Sequence, residues 1–235
     1  MRDGIIGVQN RMTERKTFEL YGNQQIGIYG DSSMTGKTMH IENDRLVIRN
    51  LEKCDLKGLE TLRYDQRVYC YEPTFLTELQ GTPEEALEKI QNMDLDQDRQ
   101  CILGVYEKTN PSVLVGLAEL YDFKASGKVI SLGYRFLSGY WGKGIASSCV
   151  SALLNDVQSH TEVELVTAHV IPENKASARC LVKNGFEYLL TKPEDWGYSQ
   201  SCVADVYTFD CKIPVCRRIR WQGIPEVRQT KKTEY

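Results

Sequence analysis

A glycine-rich turn between a strand-like run and an apolar helix constrains this chain more than any other feature. Residues 129–137 are mostly apolar and aromatic and predict a β-strand. Gly139, Gly142 and Gly144 follow, and an apolar-striped helix begins at about Ile145. A glycine turn in this position directs backbone N–H groups and the positive end of a helix dipole at one place. The stretch therefore predicts a phosphate-binding site.

The 235 residues are enough for one domain of ordinary size with extensions. Residues 1–43 show no sustained helical or strand period, and we interpret them as an N-terminal extension or leader. Within them, the stretch 30–38 is similar to a phosphate loop, but five residues separate its glycines where that motif has four. Regular patterns run over 44–211, the predicted folded domain, and 212–235 form a basic C-terminal tail.

Charge is unevenly distributed over a chain whose formal net charge is −3. The tail carries seven basic residues and two acidic ones, so the domain is acidic and nucleic acid is not an expected partner. The tail could touch RNA or an acidic partner. A solvated terminal extension is the favoured interpretation.

Other compositional features exclude several classes of protein. No apolar run approaches the roughly 18 residues that a membrane span needs, so we expect a cytoplasmic protein without membrane contact. The eight cysteines are scattered and form no Cys-x-x-Cys pair, which indicates reduced, mostly buried thiols. Three histidines lie far apart in the sequence, so no metal site is predicted.

The order of the elements predicts a mixed α/β fold. A strand at 46–51 precedes a leucine-striped helix, and Thr82, Pro83 and Glu85 have the pattern of a capped helix start. Further strands are predicted at about 101–106, 113–121, 129–137, 164–171, 186–192 and 202–211, with helices after the glycine turn and over 176–184. Short links suit antiparallel pairing. We expect a mixed, mostly antiparallel sheet of about seven strands with helices on both faces.

Four short motifs resemble the GNAT superfamily of N-acetyltransferases. They are Gly133-Tyr134, the run 140–146 (YWGKGIA), the run 172–177 (PENKAS) and Gly185-Phe186. They are most similar to the branch that contains the ribosomal-protein N-terminal acetyltransferases, and the resemblance covers about residues 44–211. It implies the family's splayed central strand pair and acetyl-CoA as co-substrate.

The resemblance also implies how the cofactor is held. In the family, backbone N–H groups of the glycine turn cradle the pyrophosphate of coenzyme A, which corresponds here to Gly142, Lys143, Gly144, Ile145, Ala146 and Ser147. The pantetheine amides pair with backbone near Phe136 and Leu137. Asn174 corresponds to the residue that hydrogen-bonds the pantetheine arm, and Ser177 to the one near the sulfur. Asn174 could equally be the N-cap of its helix, and the two roles are compatible.

The implied chemistry is attack of an amine on the acetyl thioester, so a group must take a proton from the amine. Relatives often carry an acidic residue two before the Gly-Tyr pair, where this chain has Ser131. Glu119 is the substitute base, with a surface or ion-paired glutamate as the alternative. His169 lies in the middle of a strand and is interpreted as a core histidine rather than a base.

The departing thiolate also needs a proton. Many members of the superfamily place an acid tyrosine in the second helix, where this chain has Leu181. Ser177, Tyr134 or water must then serve.

The acceptor is expected against the first two helices and the late loop. Aromatic and charged residues there could form an amine pocket or simply pack at a domain edge: Arg63, Tyr64, Tyr69, Tyr71, Glu72, Trp196 and Tyr198. We expect an N-acetyltransferase, monomeric or homodimeric, that acts on an amine-bearing small molecule or a protein N-terminus. The alternative is a non-catalytic acyl-CoA-binding module, motivated by Ser131 and Leu181.

Overall fold

The computed structural model describes residues 38–71, 81–194 and 202–213. The strands of this part are β1 (His40–Glu42), β2 (Leu46–Arg49), β3 (Cys101–Glu107), β4 (Asn110–Lys124), β5 (Val129–Phe136), β6 (Leu165–Val170), β7 (Glu187–Glu194) and β8 (Cys202–Asp210). Its α-helices are α1 (Leu56–Tyr64), α2 (Pro83–Gln91), α3 (Ile145–His160) and α4 (Lys175–Lys183). Outside the described residues lie the phosphate-loop-like stretch up to residue 37, nearly all of the basic tail, Glu72, Trp196, Tyr198 and the side chain of Tyr69.

Helix α2 begins as the sequence predicts. The Thr82 hydroxyl accepts a hydrogen bond from the Glu85 N–H at 3.2 Å, and the Glu85 carboxylate accepts one from the Thr82 N–H at 2.8 Å. Pro83 occupies the first helical position, where its missing N–H costs no hydrogen bond. The predicted capping box is confirmed.

The strands form one sheet in the order β1-β2-β3-β4-β5-β6-β8-β7. Neighbouring strands are antiparallel except β5 and β6, which are parallel. The mixed, mostly antiparallel sheet is thus confirmed, with eight strands instead of about seven. The additional strand is β1, which pairs with β2 ahead of the predicted boundary at residue 44. With three residues, it is too short to show an alternating pattern.

The parallel pair in the middle of the sheet is splayed. Residues 129–131 of β5 pair with residues 165–167 of β6, and no ladder pairing follows. Beyond that point β5 continues to Phe136 and β6 to Val170. A gap therefore opens within the sheet, towards the end of β5 that leads into the glycine turn. This is the splayed pair that the family resemblance implies.

Apolar cores cover both faces of the sheet. The larger core packs β5 against the helices on one face and includes Ile130, Leu132, Phe136, Ile145, Cys149, Leu153 and Leu181. The smaller core packs α1 and α2 against the opposite face and includes Leu59, Leu62, Leu87, Ile102 and Leu117. Helices on both faces are confirmed. Because successive side chains of a strand point to opposite faces, β5 presents side chains to both faces of the sheet beside the gap.

Two further expectations concern cysteines and membranes. The described cysteines are free thiols, of which Cys101 and Cys149 are buried and the others are half-buried or exposed. The expectation of mostly buried thiols is therefore wrong, since only these two of the described cysteines are buried. Among the described residues, no helix has both the length and the apolar character that crossing a membrane requires.

Candidate cofactor cleft and active site

The gap between β5 and β6 is the mouth of a cleft of about 570 Å³. It is lined by most of the residues that the sequence singled out: Glu119, Tyr134, Phe136, Gly142, Gly144, Ile145, Ala146, Ser147, Asn174 and Ser177. Leu137 and Lys143 are not among the lining residues. The structure thus brings together residues from β4, β5, the glycine turn and both helices of one face.

The glycine turn has a backbone that favours glycine at two positions. Gly142 has φ +73° and Gly144 has φ +77°, values that L side chains rarely adopt. A Cβ atom built on Gly142 would meet no heavy atom within 4 Å. The space above this residue is therefore open to a ligand.

Helix α3 begins at this turn without a side-chain cap. Gly144 is its N-cap residue and makes no side-chain hydrogen bond. The Ser148 N–H donates to the Gly144 carbonyl at 3.0 Å, which closes the first helical turn. The N–H groups before it have no intrahelical acceptor, and they lie at the positive end of the helix dipole. These features fit a diphosphate.

Arg45, from the turn between β1 and β2, contacts the glycine turn. Its Nη1 donates to the Lys143 carbonyl at 2.6 Å, and its Nη2 lies 3.3 Å from a Glu107 carboxylate oxygen. The guanidinium thus supports the turn from outside the cleft. The sequence carries no signal for this contact, because Arg45 and Lys143 lie far apart along the chain. Lys143 itself places its ammonium 5.1 Å from the centre of the Tyr140 ring.

The backbone at the end of β5 separates the roles of two predicted residues. The Leu137 N–H donates to the Val115 carbonyl at 3.0 Å, so this N–H points towards β4 and is already used. Because strand N–H groups alternate in direction, the Phe136 N–H faces the gap. The Phe136 carbonyl accepts a hydrogen bond from the Trp141 indole at 2.7 Å. Of these two residues, Phe136 is therefore the one whose backbone N–H faces the gap and is available to a ligand.

Three polar residues meet where β5 approaches α4. The Tyr134 hydroxyl lies 2.9 Å from the Ser177 hydroxyl oxygen. The Asn174 side chain accepts a hydrogen bond from the Ser177 N–H at 3.1 Å, which confirms Asn174 as the N-cap of α4. Burial raises the pKa of Tyr134 well above its usual range, so the phenol keeps its proton.

Glu119 forms a buried ion pair. Its carboxylate lies 2.6 Å from the Arg135 guanidinium, and the two side chains are 12% and 4% exposed. Both residues also line the cleft. This is the ion-paired alternative that stood beside the predicted base role.

The two positions at which the chain departs from the family pattern have structural roles. The Ser131 hydroxyl lies 2.8 Å from the Thr167 hydroxyl, a contact that joins β5 to β6 where they still pair. Leu181 is fully buried in the larger core. Neither residue supplies the carboxylate or the phenol that relatives often carry at these positions.

The residues predicted for the acceptor pocket are only partly brought together. Tyr71 lines the cleft, whereas Tyr64 is 70% exposed and does not. The Arg63 guanidinium donates to the Gly81 carbonyl at 2.7 Å. Val68 and Gln100 also line the cleft, although the sequence did not single them out.

The fold and the cleft together define an α/β protein with a glycine-rich turn beside an open gap in its sheet. A family model described as "Acetyltransferase (GNAT) domain" matches residues 45–187. The chain therefore belongs to the GNAT acetyltransferase family.

Known proteins show the same relationship. The uncharacterized N-acetyltransferase YoaA of Bacillus subtilis (strain 168) is 25% identical over 148 residues, which cover 63% of this chain and 82% of YoaA. The microcin C7 self-immunity acetyltransferase MccE, solved with acetyl-CoA and AMP, has a TM-score of 0.59 at 18% identity, over 72% of this chain and 93% of MccE. RimL, a ribosomal L7/L12 α-N-protein acetyltransferase solved with coenzyme A, has a TM-score of 0.60 at 15% identity, over 73% of this chain and 98% of RimL.

Proposed function

We propose that this protein is an acetyl-CoA-dependent N-acetyltransferase that moves the acetyl group to an amine by direct attack. The observation that carries the proposal is the position of the glycine turn. Uncapped N–H groups of α3 lie at the mouth of a gap between two parallel strands, and the gap leads to polar side chains. Family membership supports acetyl-CoA as the donor.

In this proposal the backbone of residues 142–147 binds the pyrophosphate. The Phe136 N–H faces the gap and binds either a pantetheine amide or the thioester carbonyl, where it would stabilise the oxyanion. Asn174 can bind the pantetheine arm through its amide N–H groups, since its oxygen already accepts the bond from Ser177. The thioester is then held between β5 and β6.

The transfer forms a C–N bond and breaks the C–S bond of the thioester. The amine nitrogen must lose a proton, and the departing sulfur carries the electron pair of the broken bond. Tyr134 remains protonated and donates a hydrogen bond to this sulfur, while the Ser177 hydroxyl holds the phenol in place. A base role for Glu119 stays a prediction, because the Arg135 ion pair equally supports a role in shaping the acceptor pocket.

The acceptor is an amine on a small molecule or at a protein N-terminus. RimL and MccE are both similar to this chain, so similarity alone does not choose between these acceptors. Membership of the ribosomal-protein branch, a cytoplasmic location and a monomeric or homodimeric state remain predictions from the sequence.

Turnover with a panel of amines tests the proposal. The panel would contain peptides with free N-termini, polyamines, amino sugars and free amino acids, and release of the coenzyme A thiol would be followed for each. We expect thiol release that depends on both the amine and acetyl-CoA, with acetylated product identified by mass. Absence of product across the panel, with acetyl-CoA bound, would contradict the proposal.

That contrary result would favour the second candidate, a non-catalytic acyl-CoA-binding module. The specific observation behind it is that Ser131 and Leu181 occupy positions where relatives often carry proton-transfer groups, and both have structural roles here. Binding of acetyl-CoA without turnover would distinguish the module from the enzyme.

A further inference from the structure

His169 is not the core histidine that the sequence suggested. Val166, Ala168 and Val170 of β6 are buried in the larger core, so His169 lies on the opposite face of the sheet. Thr167 shares that face with Ser131, as their hydroxyl contact shows. Thr167 is the last β6 residue that pairs with β5, and His169 is the next β6 residue on this face, where the gap to β5 opens. Its side chain is 16% exposed and lines the cleft.

A carboxylate from a more distant strand holds the imidazole. His169 Nδ1 lies 2.7 Å from Glu194 Oε1, and the Glu194 side chain is also 16% exposed. Strand β8 runs between the two, because His169 pairs with its residue Val206 and Glu194 with its residue Cys202. A carboxylate at Nδ1 favours the tautomer that carries its proton there. Nε2 is then the nitrogen with a free lone pair.

Burial, more than the surrounding charges, keeps this imidazole neutral at neutral pH. Burial lowers the pKa of His169 below its ordinary value, and Lys192 acts in the same direction, whereas Glu194 and Asp122 oppose this shift. The Lys192 ammonium lies 2.8 Å from the same Glu194 oxygen and offsets part of its charge. A neutral imidazole can accept a proton, whereas a protonated one cannot.

Glu119 lies on the same face of the sheet but in a different electrostatic environment. It pairs in register with Gly133 of β5, and its carboxylate contacts the Arg135 guanidinium at 2.6 Å. His169 has a carboxylate beside it and no guanidinium contact among those that the structure describes. Among the described residues, the Glu119 carboxylate is thus engaged by a guanidinium, whereas His169 Nε2 makes no hydrogen bond.

We propose that His169 accepts the proton of the attacking amine and that Glu194 is the residue that positions its imidazole. This inference rests on the proposed acetyl transfer. As the nitrogen of the amine bonds to the acetyl carbon, its N–H bond breaks and the proton passes to Nε2 of His169, directly or through one water. The C–S bond breaks with its electron pair on sulfur, and the imidazolium later releases the proton to solvent.

The test measures kcat/KM against pH for the wild-type protein and matched variants, with an amine that the panel identifies. His169→Gln removes the base, Glu194→Gln removes its orienting charge, and Glu119→Gln removes the competing carboxylate. His160→Gln is the matched control, because His160 also contacts a carboxylate (Asp156, 2.8 Å) but does not line the cleft. Acetyl-CoA affinity is measured for each variant to show that the cofactor cleft is intact.

We expect an inflection below pH about 6.5 in the wild-type profile, since the imidazole must be neutral. His169→Gln should lose this inflection and about 100-fold or more of the rate, with unchanged acetyl-CoA affinity. Glu194→Gln should keep an inflection but move it to lower pH, because the negative charge that raises the histidine pKa is gone. His160→Gln should match the wild type. Imidazole in the buffer should restore part of the rate of His169→Ala.

Three outcomes would overturn the inference. A His169→Gln profile that retains the inflection and a rate within threefold of the wild type excludes His169 as the base. Loss of the inflection in Glu119→Gln alone assigns the role to Glu119. If the wild-type protein acetylates no amine, the proposed function is refuted, and the role of His169 is refuted with it. The wild-type measurement alone distinguishes this case from a failure of the His169 inference.

Discussion

The Tyr134 hydroxyl lies 2.9 Å from the Ser177 hydroxyl oxygen and joins β5 to α4 at the wall of the cleft. The contact links a strand residue to a residue in the first turn of a helix, and both line the space in which the thioester would lie. Because burial raises the pKa of Tyr134, its phenol stays protonated and can donate a hydrogen bond into this space.

Replacement of this phenol should slow the chemical step. Tyr134→Phe is expected to lower kcat about tenfold with little change in acetyl-CoA affinity, because one hydrogen bond contributes about 0.5–1.5 kcal/mol and 1.36 kcal/mol corresponds to tenfold. Ser177→Ala should have a similar effect, and the double variant should lose less than the product of both, since they share one contact. Tyr188→Phe on the exposed strand β7 is the control. An unchanged kcat in Tyr134→Phe would exclude the phenol from the reaction.

The glycine turn provides a test of cofactor binding. Gly144→Asp should strongly weaken acetyl-CoA binding, because aspartate disfavours the left-handed backbone at this position and its Cβ would lie 3.5 Å from Arg45 Nη1, the group that holds the turn. Gly139→Ala is the matched control, since a Cβ there meets nothing within 4 Å. Calorimetric titration of both variants measures the affinity, and circular dichroism shows whether each is folded. Equal acetyl-CoA affinity in the two variants would contradict the placement of the diphosphate.

Arg45 should influence the cofactor without touching it. Arg45→Ala removes the hydrogen bond to the Lys143 carbonyl, and the KM for acetyl-CoA is expected to rise about fivefold because the turn is less well held. Arg99 offers a comparable contact away from the glycine turn, since its Nε donates to the carbonyl of Phe123, near the end of β4, at 2.9 Å. Arg99→Ala should leave the KM unchanged. Identical KM values for both variants would show that Arg45 does not support cofactor binding.

The ion pair of Glu119 and Arg135 should matter for stability. Arg135→Met leaves a carboxylate that is 12% exposed without this guanidinium, and the free energy of unfolding should fall by about 3–5 kcal/mol. The exposed pair of Lys108 and Glu42 (2.8 Å) is the control, and Lys108→Met should cost less than about 1 kcal/mol. Urea titration gives both values. A loss in Arg135→Met no larger than in the control would show that the buried pair contributes little.

Local patterns predicted most of the fold. The capping box of Thr82 and the apolar stripe of α3 depend on residues close together in the chain, so their signal is readable in one sequence. Strand β1 was missed because three residues cannot show an alternation. The splay of β5 and β6 came from the family resemblance, because a gap between strands leaves no period of its own.

The site was predicted less completely, because its contacts join distant parts of the chain. The glycine turn and Asn174 carry local signals and were found. Arg45 and Lys143 are 98 residues apart in the sequence, and no local pattern near either residue predicts their contact. His169 was misread for the same reason: its partner Glu194 is two strands away, and only the strand pairing shows that the two share a face.

Hydrogen exchange of backbone amides with and without acetyl-CoA tests directly whether the glycine turn binds the diphosphate of the cofactor. If N–H groups of the glycine turn bind the diphosphate and the gap holds the pantetheine arm, saturating acetyl-CoA should slow exchange at residues 142–147 and at Phe136, and Leu137 should change little because its N–H already bonds to Val115. If saturating acetyl-CoA leaves the exchange rates of residues 142–147 unchanged, or protects a different surface, the cofactor does not bind at the glycine turn.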